Sequence, residues 1–257
     1  MKTIGIIGGM SWESSAGYYR LVNEGVAARL GGYHSAKVVL YSVDFAEIET
    51  LQRADDWDRA GTLLAEAARA CVAAGAEILG LATNTMHLVA DGIGQAAGVP
   101  LIHIADATAD AVRAAGVSRV ALLGTRFTME RTFYRERLEA HDLEVHVPGA
   151  EDRRTIDRII FEELVHGIIR EESRAAYLEI IRGLTDSRTN DAPGGAGADR
   201  GPGGGEDAAA VAGKGAEGVI LGCTEIGYLV QQEHLSVPVF DTTRIHAEAL
   251  VTAALAE

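Results

Sequence analysis

The chain repeats itself, and this repetition restricts the folds open to it more than any other feature. Ile4-Gly-Ile-Ile-Gly8 returns 116 residues later as Val120-Ala-Leu-Leu-Gly124. Each copy is followed by an aromatic pair, Tyr18-Tyr19 in one and Phe133-Tyr134 in the other. Gly75-Ala-Glu-Ile-Leu-Gly-Leu-Ala-Thr83-Asn84-Thr85 returns 140 residues later as Gly215-Ala-Glu-Gly-Val-Ile-Leu-Gly-Cys223-Thr224-Glu225. Both copies then reach a Val-Pro (Val99-Pro100, Val237-Pro238) and an Asp-x-Thr (Asp106-Ala-Thr108, Asp241-Thr-Thr243). Four pieces recurring in one order imply two related halves.

Within each half, short apolar runs alternate with longer Ala-rich amphipathic stretches. Strands are expected at 3–8, 37–42, 78–82, 101–104, 120–124, 143–147, 218–222 and 237–240, several of them bounded by Gly or Pro. Helices are expected at 14–30, 57–74, 105–115, 130–140, 155–184 (as two helices) and 242–256. This alternation predicts an α/β fold: two pseudo-symmetric domains with mainly parallel sheets and a cleft between them. The expected division gives 1–103 with 227–257 to the first domain and 104–226 to the second. Over 185–207 the chain reads TDSRTNDAPGGAGADRGPGGGED, without a bulky apolar residue. Such a stretch cannot repay the entropy of ordering, so a mobile surface loop is expected there.

Charge excludes several partners. There are 23 Lys and Arg against 37 Asp and Glu, a net charge of −14, which repels phosphate backbones and argues against nucleic acid. No apolar run approaches the roughly 18 residues of a membrane span, so no membrane partner is expected. The first residues run straight into a strand without a signal-peptide pattern, and the two cysteines suit a reducing compartment. A cytoplasmic protein is the expectation. The histidines are scattered without metal-ligand spacing, so no metal is expected. Gly5-Ile-Ile-Gly8-Gly9 lacks the G-x-G-x-x-G spacing of a dinucleotide site.

In an α/β half, ligands gather at the carboxyl ends of the strands, beside helix N-termini. The chemistry is therefore sought in Gly8-Gly9-Met10-Ser11, Gly124-Thr125-Arg126, Thr83-Asn84-Thr85 and Cys223-Thr224-Glu225. Two facing halves would set Thr83 and Cys223 on opposite sides of one small ligand. Unpaired amides and a helix dipole beside Cys223 would lower its pKa, making a thiolate accessible near neutral pH. Neighbouring Thr and Asn groups offer donors to a small anionic substrate. Cys71, inside an Ala-rich stretch, reads as packing; His87 reads as a hydrogen-bonded structural histidine. Glu13, Ser14 and Ser15 read as helix-start residues.

Four segments carry a resemblance: Ile4-Gly-Ile-Ile-Gly-Gly-Met-Ser-Trp-Glu-Ser-Ser15, Ser42-Val-Asp-Phe-Ala-Glu-Ile-Glu49, Thr83-Asn-Thr-Met-His87 and Leu221-Gly-Cys-Thr-Glu-Ile226. Together they resemble the cofactor-independent aspartate/glutamate racemase family, over nearly the whole chain except the Gly-rich stretch. The resemblance implies an active site between two domains, no cofactor (neither pyridoxal phosphate nor metal) and a homodimer. It also implies a proton removed from one face of the substrate's α-carbon and returned on the other.

The family commonly uses two cysteines, and here Thr83 stands opposite Cys223. This points to the subgroup with Thr in place of the first catalytic Cys. Cys223 is accordingly expected to be the thiolate base and Thr83 the opposing proton donor, with L substrates favoured. Asn84, Thr85, Thr224 and the amides after Gly8 are the expected stabilisers of carbanion charge. Met10, Gln52, Thr125 and Glu225 are the further substrate-binding positions. Arg53 and Arg126 are candidates to clamp a side-chain carboxylate. Alternatives on the same scaffold are a decarboxylase, a cis-trans isomerase of a small dicarboxylate, or a non-catalytic amino-acid sensor.

Overall fold

The computed structural model describes residues 1–186 and 214–256. Beyond Asp186, the expected Gly-rich loop lies outside the described residues. The first half runs β1 (Ile4–Gly8), α1 (Trp12–Leu30), β2 (Val38–Ser42), α2 (Phe45–Arg53), α3 (Trp57–Ala73), β3 (Ile78–Leu81), α4 (Ala90–Ala97) and β4 (Leu101–Ile102). The second runs α5 (Ile104–Ala114), β5 (Arg119–Gly124), α6 (Arg126–Glu130), α7 (Thr132–Glu139), β6 (Glu144–His146), α8 (Ala150–Glu162) and α9 (Glu171–Thr185). It continues through β7 (Gly218–Gly222), α10 (Ile226–Leu229), β8 (Val239–Asp241) and α11 (Thr242–Leu255).

The strands form two four-stranded parallel sheets of the same order, β2-β1-β3-β4 and β6-β5-β7-β8. The repeat is thus structural: β1 matches β5, and β3 matches β7. The central strands are apolar at nearly every position because both faces are covered. Alternate residues serve opposite faces, as the pleat requires. Ile7, Leu79 and Leu81 pack on α3 through Leu64, Ala67, Ala68 and Cys71. Ile4, Ile6 and Ile78 pack on α1 through Tyr18 and Val22.

The helix following each half's last strand leaves that half. After β4, helix α5 lays Ala105, Ala109 and Val112 on Val120, Leu122 and Ile220 of the second sheet. After β8, helix α11 lays Leu250, Val251 and Ala254 on Ile4, Ile6 and Ile78 of the first. The fit is close: a Cβ at Gly80 of β3 would lie 2.6 Å from Leu250 Cδ1.

Two details differ from the sequence reading. Val239–Asp241, expected within the first domain as part of 227–257, is hydrogen-bonded to β7 and belongs to the second sheet; the Val-Pro before it repeats the approach to β4. The Asp-x-Thr match is out of register. Asp241 is the N-cap of α11, so its counterpart is His103, the N-cap of α5, whereas Asp106 lies inside the first turn of α5.

Candidate active site

The carboxyl ends of β1, β3, β5 and β7 converge between the sheets. One cavity there is lined by Met10, Gln52, Thr83, Asn84, Thr85, Thr125, Cys223, Thr224 and Glu225, together with Phe45, Ile160, Phe161, Val165 and Gly222. The candidate positions named above therefore face one space, apart from Gly9 and the two arginines, Arg53 and Arg126. Its free volume is about 30 Å³, room for about one water. Phe161 stands between it and two outer basins of about 520 and 530 Å³, lining all three.

Hydrogen bonds across the cleft join the halves at these strand ends. Ser11, the N-cap of α1, accepts from Ser14 N and donates to Glu225 Oε1 at 2.7 Å. In the matching position, Thr125 caps α6 and shares a 2.9 Å hydroxyl bond with Thr85, with Thr128 3.2 Å from Thr125. Asn84 Nδ2 donates to Thr242 Oγ1, which donates to the Leu221 carbonyl. Asn84 Oδ1 is buried without a hydrogen-bond partner. A buried amide oxygen left bare is costly, so this acceptor is available to a ligand donor such as an ammonium group.

Glu225 is the focus of the second half's contribution. It is 3% exposed, and its Oε2 accepts from the Cys223 thiol at 3.1 Å and from the Thr224 hydroxyl at 2.7 Å. Burial, and then the charge of Glu225, push the Cys223 thiol well above its ordinary pKa. This reverses the expectation of a readily formed thiolate. The helix that follows, α10, is a single turn, too short to offset desolvation and a carboxylate in contact. The resting group is a thiol aimed at an acceptor.

Other expectations are modified locally. The Gly9 amide is occupied by Ser15 Oγ at 2.7 Å, and so is not free for a ligand. Gly9 itself is required: φ is +97°, and a Cβ would sit 2.2 Å from the Val43 carbonyl oxygen. Gln52 is buried and donates to Met86 Sδ. Arg53 and Arg126 do not reach the inner cavity. They line the 520 Å³ basin with Arg154 and Arg158, paired with Glu49 and Glu130 respectively. Cys71 is fully buried against the first sheet. Ser14 and Ser15 lie in the first turn of α1, as expected of helix-start residues.

Sequence reasoning missed Ser11 as the partner of Glu225, and the apolar wall of Phe45, Ile160, Phe161 and Val165. Phe45 opens α2, whose start is signalled by Asp44 accepting from Ala46 N with Glu47 three residues on. The α8 residues carry no local signature, since an amphipathic helix reads alike whether it faces a core or a ligand. Among the described residues, no group of His, Cys, Asp and Glu could hold a metal ion. No helix there is long and apolar enough to cross a membrane.

Comparison with known proteins agrees with this architecture. A structure of the Asp/Glu racemase type from Yersinia pestis is 49% identical, covers 100% of both chains and superposes with a TM-score of 0.83. An aspartate racemase homologue from Pyrococcus horikoshii OT3 is 36% identical over 99% of both chains, with a TM-score of 0.77. The aspartate racemase of Picrophilus torridus shares the fold at 19% identity, covering 99% of this chain and 94% of its own, with a TM-score of 0.69. The model of the Asp/Glu/hydantoin racemase family matches residues 7–192. A family model spanning most of the chain, with two structures above 30% identity covering nearly all of it, shows that the chain belongs to the Asp/Glu/hydantoin racemase family.

Proposed function

We propose that this chain interconverts the enantiomers of aspartate and/or glutamate without a cofactor, as a member of the subgroup with Thr in place of the first catalytic Cys. One observation carries the reading: Thr83 and Cys223 end equivalent strands of the two halves and line the same cavity. Inversion needs two proton-transferring groups, one on each face of the α-carbon. Glu225 takes the thiol proton from Cys223, and the thiolate then takes the α-proton. The electron pair left on the α-carbon delocalises into the α-carboxylate. Thr83 gives its hydroxyl proton to the opposite face and recovers one from water, and the hydroxide so formed takes the proton held by Glu225, which restores the starting state.

The remaining groups hold the substrate. Asn84 Oδ1 accepts from the ammonium group, and the hydroxyls of Thr85 and Thr125 donate to a carboxylate as its charge grows. A hydroxyl is a far weaker acid than a thiol, so the enantiomer whose α-hydrogen faces Cys223 reacts more readily. Resemblance to the family supports the L form as that enantiomer.

The test is incubation with L- and D-aspartate and L- and D-glutamate in D₂O, read by chiral chromatography and mass spectrometry. Inversion with α-deuterium incorporation is expected. Folded protein that neither exchanges nor inverts any of the four would overturn the reading in favour of a decarboxylase, isomerase or sensor.

A further inference from the structure

Behind Thr83 lies a buried group that the reaction above does not use. His87, His103 and His246 pack ring against ring, with His87 centroids 4.4 Å from His103 and 5.9 Å from His246. None of the three lines the cavity. The Ile104 amide donates to His87 Nε2 at 3.2 Å, so that nitrogen carries the lone pair. A neutral ring must then hold its proton on Nδ1, which donates to the Thr83 carbonyl at 2.7 Å. Burial, then His103 and His246, keep His87 from taking a second proton, which would remove the acceptor needed by Ile104.

The other strand end is built differently. Cys223 has its carbonyl met by the backbone amide of Ile226, three residues on. The position matching His87 is Gly227, where a Cβ would lie 2.8 Å from Asp241 Oδ2. Among the described residues, a side chain meets the carbonyl of Thr83 and none meets that of Cys223. The Thr83 side also has the weaker acid, for which the hydroxyl's placement matters most, since proton transfer falls steeply with small misalignment.

We propose that His87 is a positioning residue for Thr83: its Nδ1–H fixes the strand-end carbonyl and so aims the hydroxyl at the substrate's far face. The proposal rests on the racemase reading. It also separates the two faces, because exchange at Cys223 does not pass through His87. In D₂O, the wild type is compared with His87→Asn, His87→Gln and His87→Leu, using the enantiomer whose α-hydrogen Cys223 removes. The quantity read is the ratio of inversion to α-deuterium exchange with retention.

His87→Leu loses the brace, and the ratio is expected to fall at least about tenfold while exchange at Cys223 continues. Asn places an amide N–H at the reach of Nδ1 and should restore most of the ratio. Gln reaches instead to the position of Nε2 and should not. Equal ratios for Asn and Gln, or inversion and exchange falling together, would reduce His87 to a structural role and overturn the proposal. A wild type that exchanges without ever inverting would overturn the racemase reading and this inference together. Wild-type inversion with unchanged ratios in the variants overturns the inference alone.

Discussion

The turns Thr83-Asn84-Thr85 and Cys223-Thr224-Glu225 occupy equivalent places in the two halves but carry different chemistry. In each, the third residue reaches across the cleft to the N-cap of the helix that follows the other half's first strand. On one side the pair is Thr85 with Thr125; on the other it is Glu225 with Ser11. The same scaffold therefore presents a neutral hydroxyl cluster on one face and a thiol joined to a carboxylate on the other. The two turns share their place in the repeat and differ in acidity. In the proposed reaction the Cys223 side takes the proton and the Thr83 side gives one.

Breaking the stronger side should have the largest effect. Cys223→Ala is expected to lower α-hydrogen exchange by at least about 10³-fold from either enantiomer, whereas Cys71→Ala, in α3 and outside the cavity lining, leaves the rate nearly intact. Full exchange in Cys223→Ala would show that another group is the base.

Glu225→Gln keeps an acceptor for Ser11 and removes the acceptor of the thiol proton. A loss of about 10²-fold at neutral pH is expected, with a rate that climbs as pH rises, because hydroxide must then ionise Cys223. The variant loses the Glu225 charge that helps hold the thiol's pKa up, while burial, the larger cause, remains. A pH profile parallel to that of the wild type would remove Glu225 from proton transfer.

Thr83→Cys has the smallest and most informative effect. Two thiols restore acid strength to both faces, so the rates from L and D substrates should approach each other to within about tenfold. Initial rates measured from each enantiomer decide the matter; an undiminished bias would place its origin in substrate binding rather than in Thr83.

Much of this was open to reading in one dimension. All eight expected strands are present, with ends shifted by a residue or two, because buried parallel strands announce themselves as apolar runs between Gly and Pro. The cavity's polar residues at the strand ends were found because the repeat aligned them, and Gln52, on α2, through the family resemblance. What failed had a common cause. The lowered thiol pKa, the free Gly9 amide and the Asp106–Asp241 match all assumed that a local pattern decides a residue's surroundings. Cys223 is governed by Glu225 and by burial, Gly9 by Ser15, and Asp241 by its helix cap. The brace from His87 to Thr83 depends on the Ile104 amide, seventeen residues away, to choose its tautomer.

The exchange of α5 and α11 between the sheets bears on how the protein comes apart. Each sheet borrows one covering helix from beyond the other's last strand, so a half on its own would expose Ile4, Ile6 and Ile78, or Val120, Leu122 and Ile220, to water. At about 25 cal/mol per Å² of apolar surface, that exposure ties the stability of each half to its neighbour. A single unfolding transition, coincident by calorimetry and circular dichroism, is the expected consequence. The cleft persists as long as the fold does, and the opposed groups at its two sides are gained and lost together.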